Sequence, residues 1–179
     1  MAAPDAGDTA PDFELEGTEG RFRLSDQRGS TVVLVFYPGD DTKVCTKQLC
    51  EYTDRWSDLT GLDAVVVGIS AKDLASKERF AAKRGLKMPL LADPDRRVAA
   101  LYGAKQAVLG TKRSTFVIDG EGVIRFRHDA TLGLTYLSAD ELRAAIAEPA
   151  VQVVRVVSDR ARNVLDHERL HRAVADALG

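Results

Sequence analysis

The chain holds two cysteines, five residues apart in the stretch Thr42-Lys43-Val44-Cys45-Thr46-Lys47-Gln48-Leu49-Cys50. In sulfur chemistry the thiolate, not the thiol, is the attacking species, so a functional cysteine needs a setting that favours the anion. Just upstream lies an uncharged run, Thr31-Val32-Val33-Leu34-Val35-Phe36-Tyr37, followed by a Pro38-Gly39 turn. That order predicts a buried strand that delivers Cys45 to the first turn of a helix. There the unpaired backbone N–H groups and the positive end of the helix dipole favour an anion.

The elements around this stretch are legible from periodicity and punctuation. Asp12-Phe13-Glu14-Leu15 and Arg21-Phe22-Arg23-Leu24 alternate polar and apolar around Gly17 and Gly20, a hairpin signal. The run over residues 31–37 is rich in β-branched and aromatic residues, as in a strand covered on both faces. Leu49, Tyr52, Trp56 and Leu59 fall at three- and four-residue spacing and predict one helix over 43–59 with an apolar face directed to the core. A second uncharged strand, Ala64-Val65-Val66-Val67-Gly68-Ile69-Ser70, precedes a helix over 73–84 that Gly85 caps. Residues 88–92 read as a short extended piece, and Asp93-Pro94 as the opening of a helix to Tyr102, because proline suits a first helical turn. Residues 114–118 and 123–126 flank Asp119-Gly120-Glu121-Gly122, a hairpin signature. Ser138 and Glu141 form a capping box for a helix to Ala147. Strand–helix–strand units predict a parallel central pair, with the late hairpin adding antiparallel strands at one side.

With 179 residues, 45% hydrophobic and 29% charged, the composition is that of a globular protein with one ordinary domain and an appendage. A formal net charge of −2 gives no reason to expect nucleic acid or an anionic membrane as partner. Residues 1–12 carry Asp5, Asp8, Pro4 and Pro11 without a basic cluster or apolar segment, so they do not read as a secretory signal, and no run is long enough to span a bilayer. The expected compartment is the cytoplasm. Two cysteines there point to redox or metal chemistry before a structural staple.

The residues Pro38-Gly39-Asp40-Asp41-Thr42-Lys43-Val44-Cys45 fit the pattern P-x-x-x-T-x-x-C, and here the chain resembles the peroxiredoxins. The wider stretch to Cys50 is similar to their Q, or bacterioferritin-comigratory, branch, in which a second cysteine follows five residues after the first. Arg113-Ser114-Thr115-Phe116-Val117-Ile118-Asp119 resembles the strand that brings that family's active-site arginine, and residues 7–13 and 68–70 also fit. The likeness covers about residues 5–147. One departure stands out: Thr42-Lys43-Val44-Cys45 replaces the usual Thr-Pro-Gly-Cys, which changes loop stiffness and adds bulk and a charge.

The resemblance implies an α/β, thioredoxin-like fold: a mixed central sheet flanked by helices, with an N-terminal β-hairpin. Pro149 marks a break that sets the domain at residues 1–149 and leaves 150–179 as an extension. Ser158-Asp159 as a cap and the apolar Val164, Leu165, Leu170, Val174 and Leu178 lead us to expect it to be helical and to serve packing or dimerisation. The same resemblance implies a peroxidase acting on hydrogen peroxide and organic hydroperoxides, without metal or cofactor, served by thioredoxin or a similar dithiol, as monomer or homodimer. Cys45 would be the nucleophile, oxidised to a sulfenic acid. Arg113 would favour the thiolate and hydrogen-bond the peroxide, Thr42 would hold the peroxide by its hydroxyl, and Pro38 would close the pocket. Cys50 would resolve the sulfenic acid as a disulfide. In an intact helix two residues five apart lie about 140° apart around the axis and about 7.5 Å along it. Their Cα atoms exceed the ~7 Å bridging limit, so such a disulfide needs the first turn to unwind.

Two other functions use the same residues. A thioredoxin-like disulfide reductase or redox-binding module would share the fold, but the motif is not C-x-x-C and Arg113 would be idle. A two-cysteine metal site lacks two further convincing ligands. In the tail, His167-Glu168-Arg169-Leu170-His171 spells H-E-x-x-H, yet a zinc site needs a third protein ligand and only eight residues follow His171. A solvated helical face is the better reading.

Overall fold

The computed structural model describes residues 3–106, 110–130 and 135–147. The expectations for residues 150–179 (helix, interface and the two histidines) lie outside the described residues.

The sheet is built around two strands, β3 (Thr31–Phe36) and β4 (Ala64–Ser70), which pair in parallel from Thr31↔Ala64 to Phe36↔Ile69. The run over residues 31–37 was expected to be covered on both faces, and the packing shows why it tolerates no charge. Along β3, Val32, Leu34 and Phe36 enter one core with Phe13, Tyr102 and Phe116. The alternate residues Val33 and Val35, followed by Tyr37, enter the opposite core with Cys45, Leu49 and Tyr52.

On one side β4 pairs in parallel with β5 (Leu90–Ala92), which meets the N-terminal hairpin β1 (Glu14–Gly17) and β2 (Gly20–Arg23). On the other, β3 pairs antiparallel with β8 (Ser114–Ile118), which pairs with β9 (Ile124–Asp129). A two-stranded sheet of β6 (Lys105–Gln106) and β7 (Gly110–Thr111) stands apart and was not anticipated. The main order β2-β1-β5-β4-β3-β8-β9 is the mixed sheet that the strand–helix–strand reading requires.

Five helices bear on the site or mark where local rules hold and fail. The expected helix over 43–59 is two: α1 (Lys43–Asp54) and α2 (Trp56–Thr60), divided at Arg55, whose φ of −102° and ψ of 22° leave the helical region. The break keeps Leu59 in the core while Trp56 is half-buried. Helix α3 (Leu74–Arg84) follows the sequence rules: the Asp73 carboxylate accepts from the Ser76 N–H, and Gly85 ends it with φ 60°.

The helix expected from Asp93-Pro94 instead begins at Arg97 as α4 (Arg97–Leu101). The Asp93 carboxylate reaches forward to accept from the N–H groups of Val98 and Ala99 at 3.2 and 2.8 Å, while Arg96 turns the chain at φ 58°. Asp93 therefore serves the first-turn amides from outside the helix. The capping box of α5 (Ala139–Ala147) forms as read, with Ser138 N–H donating to Glu141 Oε2 at 2.8 Å and Glu141 N–H returning to Ser138 Oγ at 3.3 Å.

Candidate active site

Helix α1 begins at Lys43, so Cys45 lies in its first turn, and its residue is fully buried. The first-turn amides have no intrahelical acceptor. The Thr42 side chain does not take one either: its hydroxyl donates to the Gly39 carbonyl at 3.3 Å. No acidic residue lies in this turn to compete for the positive end of the dipole.

Arg113 stands immediately before β8, its main chain fixed by the Ala130 N–H donating to the Arg113 carbonyl at 3.0 Å. Its guanidinium is buried, at 2% exposure, and Nη2 lies 3.3 Å from Cys45 Sγ. Nη1 donates to Gln48 Oε1, whose amide donates in turn to the Tyr52 hydroxyl at 3.1 Å, and Tyr52 donates to the Leu137 carbonyl. Burial raises Tyr52, which keeps the phenol neutral and a donor. No carboxylate pairs with Arg113 among the described residues. A buried cation needs an anion close by, and the group in place to supply one is the Cys45 sulfur.

The other expected residues are distributed unevenly. Thr42 is exposed and Pro38 half-buried, both on the loop that joins β3 to α1. Cys50 is a free, half-buried thiol further along the same unbroken helix, and Cys45 is free as well. Cys45 and Arg113 are thus in contact, whereas Cys50 is held apart from Cys45 by the helix itself.

Two groups of residues escaped the sequence reading. Gln48 sits three residues after Cys45, on the same helical face, and that spacing was the available signal. The second group surrounds Asp40, whose carboxylate is 5% exposed and accepts from Tyr37 at 2.8 Å, Ser76 at 2.8 Å and Lys77 at 2.9 Å. Burial opposes the Asp40 charge, but the Lys77 ammonium and these hydrogen bonds outweigh it and hold the carboxyl below its ordinary value. Burial, and then the Asp40 charge, push Tyr37 well up. The signal was a lysine three residues from both Leu74 and Phe80, within an apolar helix face.

A helix-start thiol against a buried guanidinium, on a thioredoxin-like sheet, defines a thiol-redox protein. Comparison with known proteins narrows the class. The AhpC/TSA family profile matches residues 6–127. Peroxiredoxin Bcp of Bacillus subtilis is 36% identical over 124 residues, 65% of this chain and 79% of that protein. The chloroplastic peroxiredoxin Q of Triticum aestivum is 38% identical over 123 residues, 67% of this chain and 57% of that protein. Among solved structures, peroxidoxin BcpB of Mycobacterium tuberculosis superposes with a TM-score of 0.73 at 35% identity, covering 80% of this chain and 97% of that one. The chain belongs to the AhpC/TSA family, and its relatives of the Bcp and Q type are peroxiredoxins. No described helix is long and apolar enough to cross a membrane, and no cluster able to hold a metal ion occurs among the described residues.

Proposed function

We propose that this chain is a thiol-dependent peroxidase in which Cys45 is the nucleophile and Cys50 the resolving thiol. The observation that carries the reading is the Arg113 Nη2 to Cys45 Sγ distance of 3.3 Å in the first turn of α1. That arrangement offers a thiolate two sources of stabilisation, the guanidinium and the helix-start amides.

The Cys45 thiolate attacks one peroxide oxygen; the S–O bond forms as the O–O bond breaks. Sulfur is oxidised to a sulfenic acid, and the departing oxygen takes up a proton to leave as water or alcohol. Negative charge grows on that oxygen, where Arg113 and the amides of the turn are poised to receive it. The Thr42 hydroxyl, now bonded to Gly39, is free to turn towards the peroxide because it donates and accepts. Pro38 covers the pocket edge.

Loss of the thiolate charge removes the attraction that holds the first turn to Arg113. The second half of α1 is tied down independently: Glu51 accepts from Tyr136 at 2.7 Å and from the Ala139 N–H at 2.8 Å. The first turn then unwinds, Cys50 attacks the sulfenic sulfur, and water leaves as the disulfide forms. A disulfide made by melting a helical turn is strained and exposed, and a dithiol such as thioredoxin reduces it by exchange. Cytoplasmic residence fits this dependence on a reducing partner.

Stopped-flow consumption of hydrogen peroxide and of an alkyl hydroperoxide, with thioredoxin and its reductase, tests the reading. Turnover by the native chain, its loss in Cys45→Ser, and one trapped sulfenic-acid equivalent in Cys50→Ser are expected. A native chain that consumes neither peroxide would leave the fold to a disulfide-exchange function and overturn the proposal.

A further inference from the structure

The Asp40–Lys77 pair has no part in the chemistry above, yet it is the most deeply buried ion pair among the described residues, at 0% and 5% side-chain exposure. Lys77 arises from α3, and its ammonium donates to Asp40 at 2.9 Å, to the Tyr37 hydroxyl at 2.8 Å and to the Ser70 hydroxyl. Asp40 lies in the middle of the loop that leaves β3 and enters α1, two residues before Thr42 and five before Cys45. The loop is therefore fixed to the ends of both central strands and to α3 through one carboxylate.

The next residue repeats the connection. Asp41 adopts a left-handed backbone at φ 57°, which costs energy for a residue with a Cβ. Its carboxylate is met by Lys83 at 2.9 Å and Arg84 at 3.1 Å, both from the last turn of α3. Helix α3 thus grips two consecutive aspartates, one from inside the core and one at the surface. The grip falls on the loop that ends at Thr42 and runs directly into Lys43-Val44-Cys45, the first turn of α1.

A buried ion pair adds little net stability over an apolar pair of equal volume, because desolvating two charges offsets their attraction. What the pair does supply is a fixed position, since each charge is satisfied in one geometry only. We infer that Lys77 is a positioning residue: through Asp40 it holds the loop over residues 38–42, and with it the first turn of α1, so that the Cys45 sulfur, the Thr42 hydroxyl and Arg113 converge on one peroxide. The inference rests on the peroxidase reading given above. It places control of the reactive turn in a helix that contributes no group to the reaction.

The test separates position from thiolate supply. In a Cys50→Ser background, Lys77→Met and the double change Asp40→Asn with Lys77→Met are compared with the parent for two reactions at Cys45. Peroxide must meet sulfur, hydroxyl and guanidinium together, whereas iodoacetamide needs only an accessible thiolate. A displacement of about 1 Å can cost about a hundredfold in a reaction that depends on such convergence. The expected result is a roughly 10- to 100-fold fall in the rate constant with peroxide and less than about a threefold change with iodoacetamide. The neutral double variant leaves no uncompensated buried charge, so it supplies the answer if Lys77→Met alone fails to fold. A double variant that reacts with peroxide within about twofold of its parent would overturn the inference, as would equal falls in both reactions. A parent and native chain inert to peroxide would instead remove the peroxidase reading, and the inference with it.

Discussion

The two halves of α1 are held by different forces. The first turn, with Cys45, meets the Arg113 guanidinium at 3.3 Å and stands on a loop pinned through Asp40. The second half is tied by apolar packing of Leu49 and Tyr52, by the bonds Glu51 accepts from Tyr136 and the Ala139 N–H, and by the bond Tyr52 donates to the Leu137 carbonyl. An attraction that depends on a thiolate disappears when the sulfur is oxidised, whereas apolar burial does not. On the proposed peroxidase reading, α1 therefore has an end that lets go on oxidation and an end that stays.

The comparison can be broken at several points. The largest effect is expected at the nucleophile: Cys45→Ser abolishes sulfenic-acid formation, read by trapping and mass spectrometry, because no other thiol has the guanidinium beside it. Arg113→Gln removes the cation at the reactive end, and a loss of about 10²–10³ in the peroxide rate constant is expected by stopped flow, the scale of one transition-state donor. At the anchored end, Tyr52→Phe removes the hydroxyl that bridges Gln48 and Leu137, and a loss of about 1 kcal/mol is expected in urea unfolding. Ser138→Ala removes the cap of α5 at a cost of about 1 kcal/mol, with the peroxide rate unchanged.

Acid sharpens the contrast without mutation. Asp40, Asp119 and Asp129 are all held below the ordinary carboxylate value of 3.8, against the opposing effect of burial, by Lys77, by Arg125 and backbone amides, and by Lys112, Ser114 and Arg127 respectively. A carboxyl lowered on folding contributes stability above its unfolded value and loses it as pH falls through the folded one. Urea midpoints should therefore drop below about pH 4, and Asp40→Asn should flatten that part of the profile.

Much of this arrangement was readable in the sequence because local rules dominate it. Uncharged β-branched runs at residues 31–36 and 64–70 admit no solvent-facing side, and they became the central parallel pair. The Ser138–Glu141 box and Gly85 are satisfied within one turn of chain, so they were visible without tertiary knowledge. The helix start at Arg97 was missed because Asp93 reaches its amides from outside, where Pro94 suggested an earlier opening. Cys45 was marked by its place after a buried strand and Arg113 by a family resemblance, but Gln48 and Lys77 make their contacts across 65 and 37 residues of sequence. Periodicity marks such a residue as facing inward without saying which partner satisfies it.

The division of α1 is tested most directly by hydrogen–deuterium exchange of the native chain before and after one equivalent of hydrogen peroxide, with peptide mapping of the disulfide. The account predicts a Cys45–Cys50 disulfide, with protection lost from the start of α1 to Cys50 and retained over β3 and β4. A disulfide formed with α1 protection unchanged, or oxidation of Cys45 with no bond to Cys50, would contradict it.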